Sequence, residues 1–208
     1  MAILKEACVG DYLEAKKAYE LGANRIELCA NLKEGGITPS YGTILLAKEN
    51  LKIPINVMIR PRGGSFVFTK DEIRIMEMDI GFCREAKVNA VVIGVLTEDR
   101  QINEAAVKRL VSKAGDLSVT FHMAFDEIEE QKSALDQLIA LGIDRVLTKG
   151  GAGSALENRQ ALKELVAYGS GRIVILAGGG ITQDNYAEVV KSTGVKEVHG
   201  TKIVGHLG

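Results

Sequence analysis

The chain has 208 residues, of which 46% are hydrophobic, and a formal net charge of −1 from 26 basic and 27 acidic side chains. This length allows one sizeable core, and the hydrophobic share is typical of a compact globular protein. The near-zero charge gives no indication of a nucleic-acid or membrane partner. No segment is apolar for long enough to span a bilayer, and residues 1–6 lack the features of a secretory signal. We therefore expect a cytoplasmic protein whose three cysteines are reduced thiols.

Strand-like and helix-like segments alternate along the sequence. Apolar, β-branched runs predict strands over residues 3–9, 25–29, 53–59, 90–95, 117–121, 145–148, 172–177 and 197–199. Helical spacing predicts helices over residues 11–21, 41–50, 71–87, 103–113, 129–141, 155–168 and 183–192. Asp71 and Asn103 are the expected N-caps of two of these helices, and Gly22, Gly142 and Gly194 are expected just after the ends of three others.

Eight βα units on a chain of this length predict a compact TIM-type (β/α)8 barrel that forms a single domain over residues 1–208. Only about nine residues follow the last strand, so the eighth helix must be missing or vestigial. The alternative is an open, doubly wound sheet. The barrel is favoured because no G-x-G-x-x-G fingerprint occurs early in the chain, and because the glycine run 178–180 follows the seventh strand.

Two strands end in the same pattern, Glu-x-Cys: Glu6 and Cys8 on the first, Glu27 and Cys29 on the second. Alternation along a strand puts the carboxylate and the thiol of each pair on one face. In a barrel, functional groups collect at the carboxyl ends of the strands. Two neighbouring thiolates suit Cu(I) or Zn(II), whereas buried free cysteines often serve as small hydrophobic residues. Cys83, inside an amphipathic helix, is expected in the core.

The third strand ends in Arg60-Pro61-Arg62-Gly63-Gly64, which reads as an anion clamp. Alternatively, one of the arginines neutralises Glu6 or Glu27 within the barrel mouth. The turn of Gly178, Gly179 and Gly180 offers backbone N–H groups as a nest for phosphate or another anion, although glycine could serve there only to permit a tight turn.

His122 ends the fifth strand and could be a general base, a metal ligand or a structural hydrogen-bonding group. Asp126, four residues later, could orient its imidazole. Lys149, after the sixth strand, is a candidate second cation or Schiff-base residue. His199, on the eighth strand, could face either the ligand or the barrel wall.

Several segments together resemble the CutC family of copper homeostasis proteins. They are Arg25–Cys29, Glu34–Ser40, Ile59–Gly64, Val119–His122, Arg145–Thr148 and Gly178–Thr182. The resemblance implies a TIM barrel, a cytoplasmic location, a link to copper tolerance and Cu(I) binding through Cys8 and Cys29. The chain has Met123 where the family commonly has arginine, and Lys149 where it commonly has serine.

Two functions from different classes follow. The first is a CutC-like protein that binds copper(I) through Cys8 and Cys29. The alternative is a TIM-barrel enzyme acting on a small anionic metabolite that bears phosphate or carboxylate. Its anion would be bound by Arg60, Arg62, Gly178, Gly179, Gly180 and His199. Its catalytic groups would be Glu6, Glu27, His122, Asp126 and Lys149. An interaction scaffold with a vestigial site is the third hypothesis, and the sequence leaves a homo-oligomer open.

Overall fold

The computed structural model of the chain describes residues 3–208. It contains eight short parallel strands, whose bounds are β1 Leu4–Val9, β2 Arg25–Leu28, β3 Ile55–Met58, β4 Ala90–Ile93, β5 Ser118–Phe121, β6 Arg145–Thr148, β7 Val174–Ala177 and β8 Glu197–Gly200. Each strand pairs with the next, and β8 pairs with β1, so that the sheet closes into a barrel. The prediction of a TIM-type barrel is confirmed.

Seven α-helices alternate with the strands: α1 Tyr12–Glu20, α2 Tyr41–Asn50, α3 Lys70–Glu85, α4 Glu104–Ala114, α5 Gln131–Ala140, α6 Arg159–Gly169 and α7 Tyr186–Thr193. Two 3-10 helices, Leu32–Glu34 and Met123–Glu127, lie in the loops after β2 and β5. Residues 201–208 form turns and bridges but no helix, as expected from the length of the chain after β8. None of the helices within residues 3–208 is both long and apolar enough to cross a membrane.

The helix ends follow capping chemistry, with one correction to the sequence prediction. The Asn103 side chain accepts a hydrogen bond from the Ala106 N–H, so Asn103 is the N-cap of α4 as predicted. Asp71 is not an N-cap, since α3 begins at Lys70. Thr69 caps this helix in a capping box with Glu72, which satisfies two N–H groups reciprocally. Asp71 lies in the first turn, where an acidic residue favours the helix dipole.

The strands bury both faces. Residues that point outward, such as Ala7, Val9 and Val57, pack with the helices in the main hydrophobic core. The inward face of β1 instead carries Glu6 and Cys8. The interior of the barrel is therefore largely polar near β1, β2 and β8, and the hydrophobic effect that stabilises the fold comes mainly from the layer between strands and helices.

The strand register sets the height of each interior side chain. Cys8 is level with Glu27 on the neighbouring strand rather than with Cys29, and Glu6 is level with Arg25 on one side and His199 on the other. This offset follows from the stagger that closing a sheet into a barrel requires. The two Glu-x-Cys segments are therefore shifted against each other along the barrel axis, and a carboxylate of one segment lies beside the thiol of the other.

Candidate functional site

A cluster of paired, largely buried side chains forms the floor of the site inside the barrel. Its members are Glu6, Arg25, Asn56, Arg145 and Glu197. The Arg25 guanidinium pairs with Glu6 through Nε, and with Glu197 through Nη2 at 2.5 Å. Arg145 Nε reaches the same Glu197 carboxylate at 2.8 Å, and the Asn56 amide donates to Glu6 at 3.0 Å. Burial opposes the charge on Glu6. Hydrogen bonds from His199 and Arg25, together with their positive charges, outweigh it and lower the pKa of Glu6 to about 2.

His199 joins this floor to the layer above. Its Nδ1 lies 2.8 Å from Glu6 Oε1, and its Nε2 lies 3.7 Å from Glu27 Oε2. Burial lowers the pKa of His199, but the negative charge of Glu27 and the hydrogen bonds with Cys8 and Glu6 raise it well above its usual range. The imidazole is thus a cation held between two carboxylates. Burial raises the pKa of Glu27.

The two strand-end thiols, those of Cys8 and Cys29, pack in one small buried cluster together with Met58 and Val92. Cys29 also donates to Glu27 Oε2 at 3.6 Å. The hydrogen bond with Cys29 and burial raise the pKa of Cys8 well above its usual range. Cys8 lowers the pKa of Cys29, but burial and the charge of Glu27 outweigh this and raise it to about 11. Both residues are buried free thiols, protonated at neutral pH.

Three different donor atoms also converge at this point. One ligand atom each from Cys8, Glu27 and His199 lies within 4.8 Å of the other two. Cys83, in contrast, is buried in α3 among the apolar residues of the main core, where burial raises its pKa to about 12. Its position agrees with the expectation that it is a core residue.

A cavity of about 360 Å³ opens beside Cys8, but not Cys29, at the carboxyl ends of the strands. Five residues that the sequence singled out line it: Cys8, Glu27, Arg60, His122 and His199. The remaining lining residues are Leu32, Glu34, Gly35, Met58, Phe66, Met123, Leu147 and Thr201. The wall is thus mainly apolar, with a few polar groups that converge on one space, as is typical of small-molecule sites.

Arg60 contributes a buried cation to this wall, with 5% of its surface exposed. Its Nη1 donates to the carbonyls of Glu34 at 2.9 Å and Gly36 at 3.1 Å, and its Nη2 donates to the carbonyl of Gly64 at 2.6 Å. No carboxylate within residues 3–208 comes within 4.0 Å of it. Arg60 therefore does not neutralise Glu6 or Glu27, which was the alternative interpretation of this arginine.

Arg62 lies away from the cavity, although it shares a loop with Arg60. Its guanidinium pairs with Glu72 and donates to backbone carbonyls of the same loop, including those of Ser65 and Val67. The structure therefore does not bring the two arginines together as one clamp. Arg62 instead holds the loop that carries Phe66 into the cavity.

His122 is held by one hydrogen bond to its ring and one from its backbone. Its Nδ1 accepts a hydrogen bond from the Ala124 N–H at 3.1 Å, and the backbone N–H of His122 donates to Ile93 at 2.8 Å. Burial and the positive charge of Arg60 lower the pKa of His122 to about 3, so the imidazole is neutral. Asp126 does not orient this ring.

Asp126 organises the loop after β6 instead. It accepts hydrogen bonds from Thr148 Oγ1 at 2.5 Å and from the N–H groups of Lys149 at 3.1 Å and Gly151 at 3.2 Å. The pKa of Asp126 is raised by burial against the effect of these bonds. Neither Asp126 nor Lys149 is among the residues that line the cavity.

In the turn after β7, glycine is needed for close packing and for the backbone conformation. The Gly178 N–H donates to Thr148 O at 2.9 Å, and a Cβ at Gly178 would lie 2.7 Å from both Leu147 and Met123. Gly179 and Gly180 have φ values of 87° and 78°, which favour glycine. None of the three lines the cavity described above.

Two residues that position the site were not singled out from the sequence. A Cβ at Gly94 would overlap the His122 ring, so only glycine allows the imidazole to lie there. The Phe66 ring lies 4.8 Å from the Arg60 guanidinium and 4.9 Å from the His122 ring, so it packs against both. A glycine within the apolar run 90–95 was the one available signal, because glycine inside a strand often marks a close approach.

Comparisons with known proteins agree with this architecture. The model of the CutC family matches residues 3–204. A CutC family protein from Parabacteroides distasonis is 45% identical over 195 residues, which are 93% of this chain and 80% of the relative. A copper homeostasis protein cutC homolog from Homo sapiens is 42% identical over 196 residues, which are 94% of this chain and 72% of the relative.

Solved structures give the same result. The crystal structure of a CutC protein from Streptococcus agalactiae superposes with a TM-score of 0.93 at 42% identity, covering 97% of this chain and 99% of that one. A deoxyribose phosphate aldolase from Aeropyrum pernix has a TM-score of 0.72 at 13% identity, over 98% of this chain and 88% of its own, which shows a shared barrel fold alone. On the family match and these identities, the chain belongs to the CutC family.

Proposed function

We propose that this protein takes part in copper homeostasis by binding Cu(I) through the thiolates of Cys8 and Cys29. The observation that carries the proposal is that these two buried free thiols pack in one cluster, with Cys8 on the wall of a cavity. Thiolate sulfur is the soft ligand that Cu(I) prefers. The copper homeostasis name of the human relative supports the first part of the proposal, a role in copper homeostasis.

The surroundings suit the exchange of protons that such binding needs. Both thiols must lose a proton to become ligands. Glu27 Oε2 already accepts the hydrogen bond from Cys29, and the raised pKa of Glu27 makes its carboxylate a suitable acceptor for that proton. His199 lies on the other side of the same oxygen. Glu27 thus links the thiols to the charged floor.

Competition with a chromogenic Cu(I) chelator, without oxygen, tests the proposal. We expect one Cu(I) per wild-type chain, a loss of at least about tenfold in affinity for Cys8→Ala or Cys29→Ala, and a larger loss for the double variant. Cys83→Ala is the matched control, because it removes a buried thiol of the core and should leave Cu(I) affinity unchanged. Full affinity in the folded double variant would contradict the assignment.

We propose further that the protein is cytoplasmic, where its thiols stay reduced and ready for Cu(I). Assembly into a homo-oligomer and a single domain over the whole chain stay predictions. Light scattering coupled to size-exclusion chromatography tests the first of these, and limited proteolysis tests the second.

A further inference from the structure

Three buried polar atoms around the cavity have no hydrogen-bond partner within the described part of the chain. They are Glu27 Oε1, Arg60 Nε and His122 Nε2, on residues that are 2%, 5% and 4% exposed. A buried polar group without a partner costs about 1–3 kcal/mol, so most such groups in native proteins are paired. Three of them around one cavity indicate a polar ligand that completes their bonding.

The hydrogen bond at Nδ1 of His122 determines whether Nε2 carries a proton. Since Nδ1 accepts the hydrogen bond of the Ala124 N–H, Nδ1 carries no proton. The single proton of a neutral imidazole must then be on Nε2. The unpartnered atom is therefore a hydrogen-bond donor on a residue that lines the cavity, and His122 is neither a general base at Nε2 nor a metal ligand there.

Arg60 supplies a second donor of the same kind. Three of its five N–H groups donate to backbone carbonyls, and Nε is the one nitrogen of the guanidinium that has no partner within the described residues. Phe66 packs against both Arg60 and His122, so the two donors belong to neighbouring residues of the cavity wall. A buried cation without a carboxylate partner favours a negatively charged ligand.

The charge of the site decides which anion fits. Arg60 is the one cation without an ion-pair partner among the lining residues described, and Glu27 stands on the same cavity. A doubly charged phosphate would gain one cation but would also approach a carboxylate. A single carboxylate carries half that charge, so its repulsion from Glu27 is weaker, and Glu27 Oε1 then accepts a hydrogen bond from another part of the molecule.

We propose that the cavity binds a small hydroxycarboxylate. Its carboxylate accepts hydrogen bonds from Arg60 Nε–H and His122 Nε2–H, and its hydroxyl donates to Glu27 Oε1. The apolar side chains of Met58 and Leu147 contact its carbon atoms. A cavity of about 360 Å³ accommodates a molecule of this size. The proposal does not rest on copper binding.

Calorimetry on chelator-treated, metal-free protein tests this site with glycolate, lactate and glycerate, and with ethylene glycol and inorganic phosphate as comparison compounds. We expect saturable binding of at least one hydroxycarboxylate, none of ethylene glycol, and weaker binding of phosphate. Arg60→Lys and His122→Phe should each weaken binding about tenfold, because each removes one donor to a charged group. His122→Gln keeps an N–H at the Nε2 position and should recover part of the loss.

His206→Gln is the matched control, since this histidine lies in the exposed C-terminal segment and should not affect binding. Nitrogen-15 NMR of labelled histidine gives a second measurement, in which the His122 proton is on Nε2 and its resonance shifts when the ligand is added. Cys29→Ala should lose Cu(I) affinity while it keeps carboxylate binding, so the two proposals fail independently.

Three results would overturn the proposal. The first is no saturable binding of any hydroxycarboxylate to folded, metal-free protein. The second is phosphate binding more tightly than every carboxylate tested. The third is equal affinity in the wild type and His122→Phe, with circular dichroism showing both folded. If Arg60→Lys does not fold, the two His122 variants and the NMR measurement still decide the question.

Discussion

Gly94→Ala should displace the His122 ring and destabilise the protein. The added Cβ would lie 2.8 Å from His122 Nε2 and closer still to Cε1 and Nδ1. The ring cannot easily turn away, because Ala124 holds its Nδ1 and the Phe66 ring lies 4.9 Å from it. The substitution therefore forces His122 out of its position or moves β4.

The size of the effect follows from two contributions. Inserting a carbon atom into a packed interior typically costs about 1–3 kcal/mol. Losing the hydrogen bond of Ala124 to Nδ1 adds about 1 kcal/mol. Together they predict a loss of about 2–4 kcal/mol. For a chain of this length, each kcal/mol lowers the melting temperature by about 2–4 °C, so we expect a decrease of about 4–16 °C.

A double-mutant cycle with His122→Ala gives the decisive measurement. Thermal and urea unfolding of both single variants and the double variant should show that Gly94→Ala costs much less once the ring is absent, by about 2 kcal/mol. Gly42→Ala is the control, because a Cβ there meets nothing within 4 Å on helix α2 and should leave stability unchanged or slightly higher. If Gly94→Ala destabilises equally with and without the His122 ring, the steric argument is wrong.

Three further predictions concern charge. Glu6→Gln should cost about 3–5 kcal/mol, because it leaves buried cations without their partner, and a loss below about 1 kcal/mol in urea unfolding would contradict the role given to the floor. The pKa of His122 is lowered to about 3 from its usual 6.5, so the free energy of unfolding should fall by up to about 5 kcal/mol as pH drops through that interval. In His122→Gln, the free energy of unfolding should decrease less steeply with falling pH than in the wild type. Equal slopes for the two proteins would refute the assignment. Because the pKa values of Cys8 and Cys29 are raised, Cu(I) affinity should increase with pH, by at most about 100-fold per pH unit for two protons released. If chelator competition shows that the affinity does not change with pH, thiol ligation is contradicted.

The barrel was predictable because its signals are local. Alternating apolar and amphipathic segments predict βα units, and eight of them fit a closed barrel. Helix ends were less certain. Asp71 is a suitable capping residue by type, but Thr69 with Glu72 forms two reciprocal hydrogen bonds and begins the helix earlier. Single-residue preferences cannot decide between such neighbouring candidates.

The site was predictable in part, because residue types at strand ends are visible while their mutual orientation is not. The sequence put Arg60 and His122 at strand ends, and the structure places both on the cavity. It could not show that Arg62 turns toward Glu72, since that depends on the path of the loop. It also could not show that Asp126 lies beside Thr148 instead of His122.

The charged floor also determines how molecules reach the site. Arg25, Glu6 and Glu197 fill the interior below the thiols with paired, buried side chains, so exchange between the thiols and solvent takes place through the cavity at the carboxyl ends of the strands. If both bind as proposed, a metal ion and a carboxylate share this entrance. Bound carboxylate is therefore expected to slow the escape of Cu(I), and the residence time of the metal becomes a property that a small molecule in the cell can change.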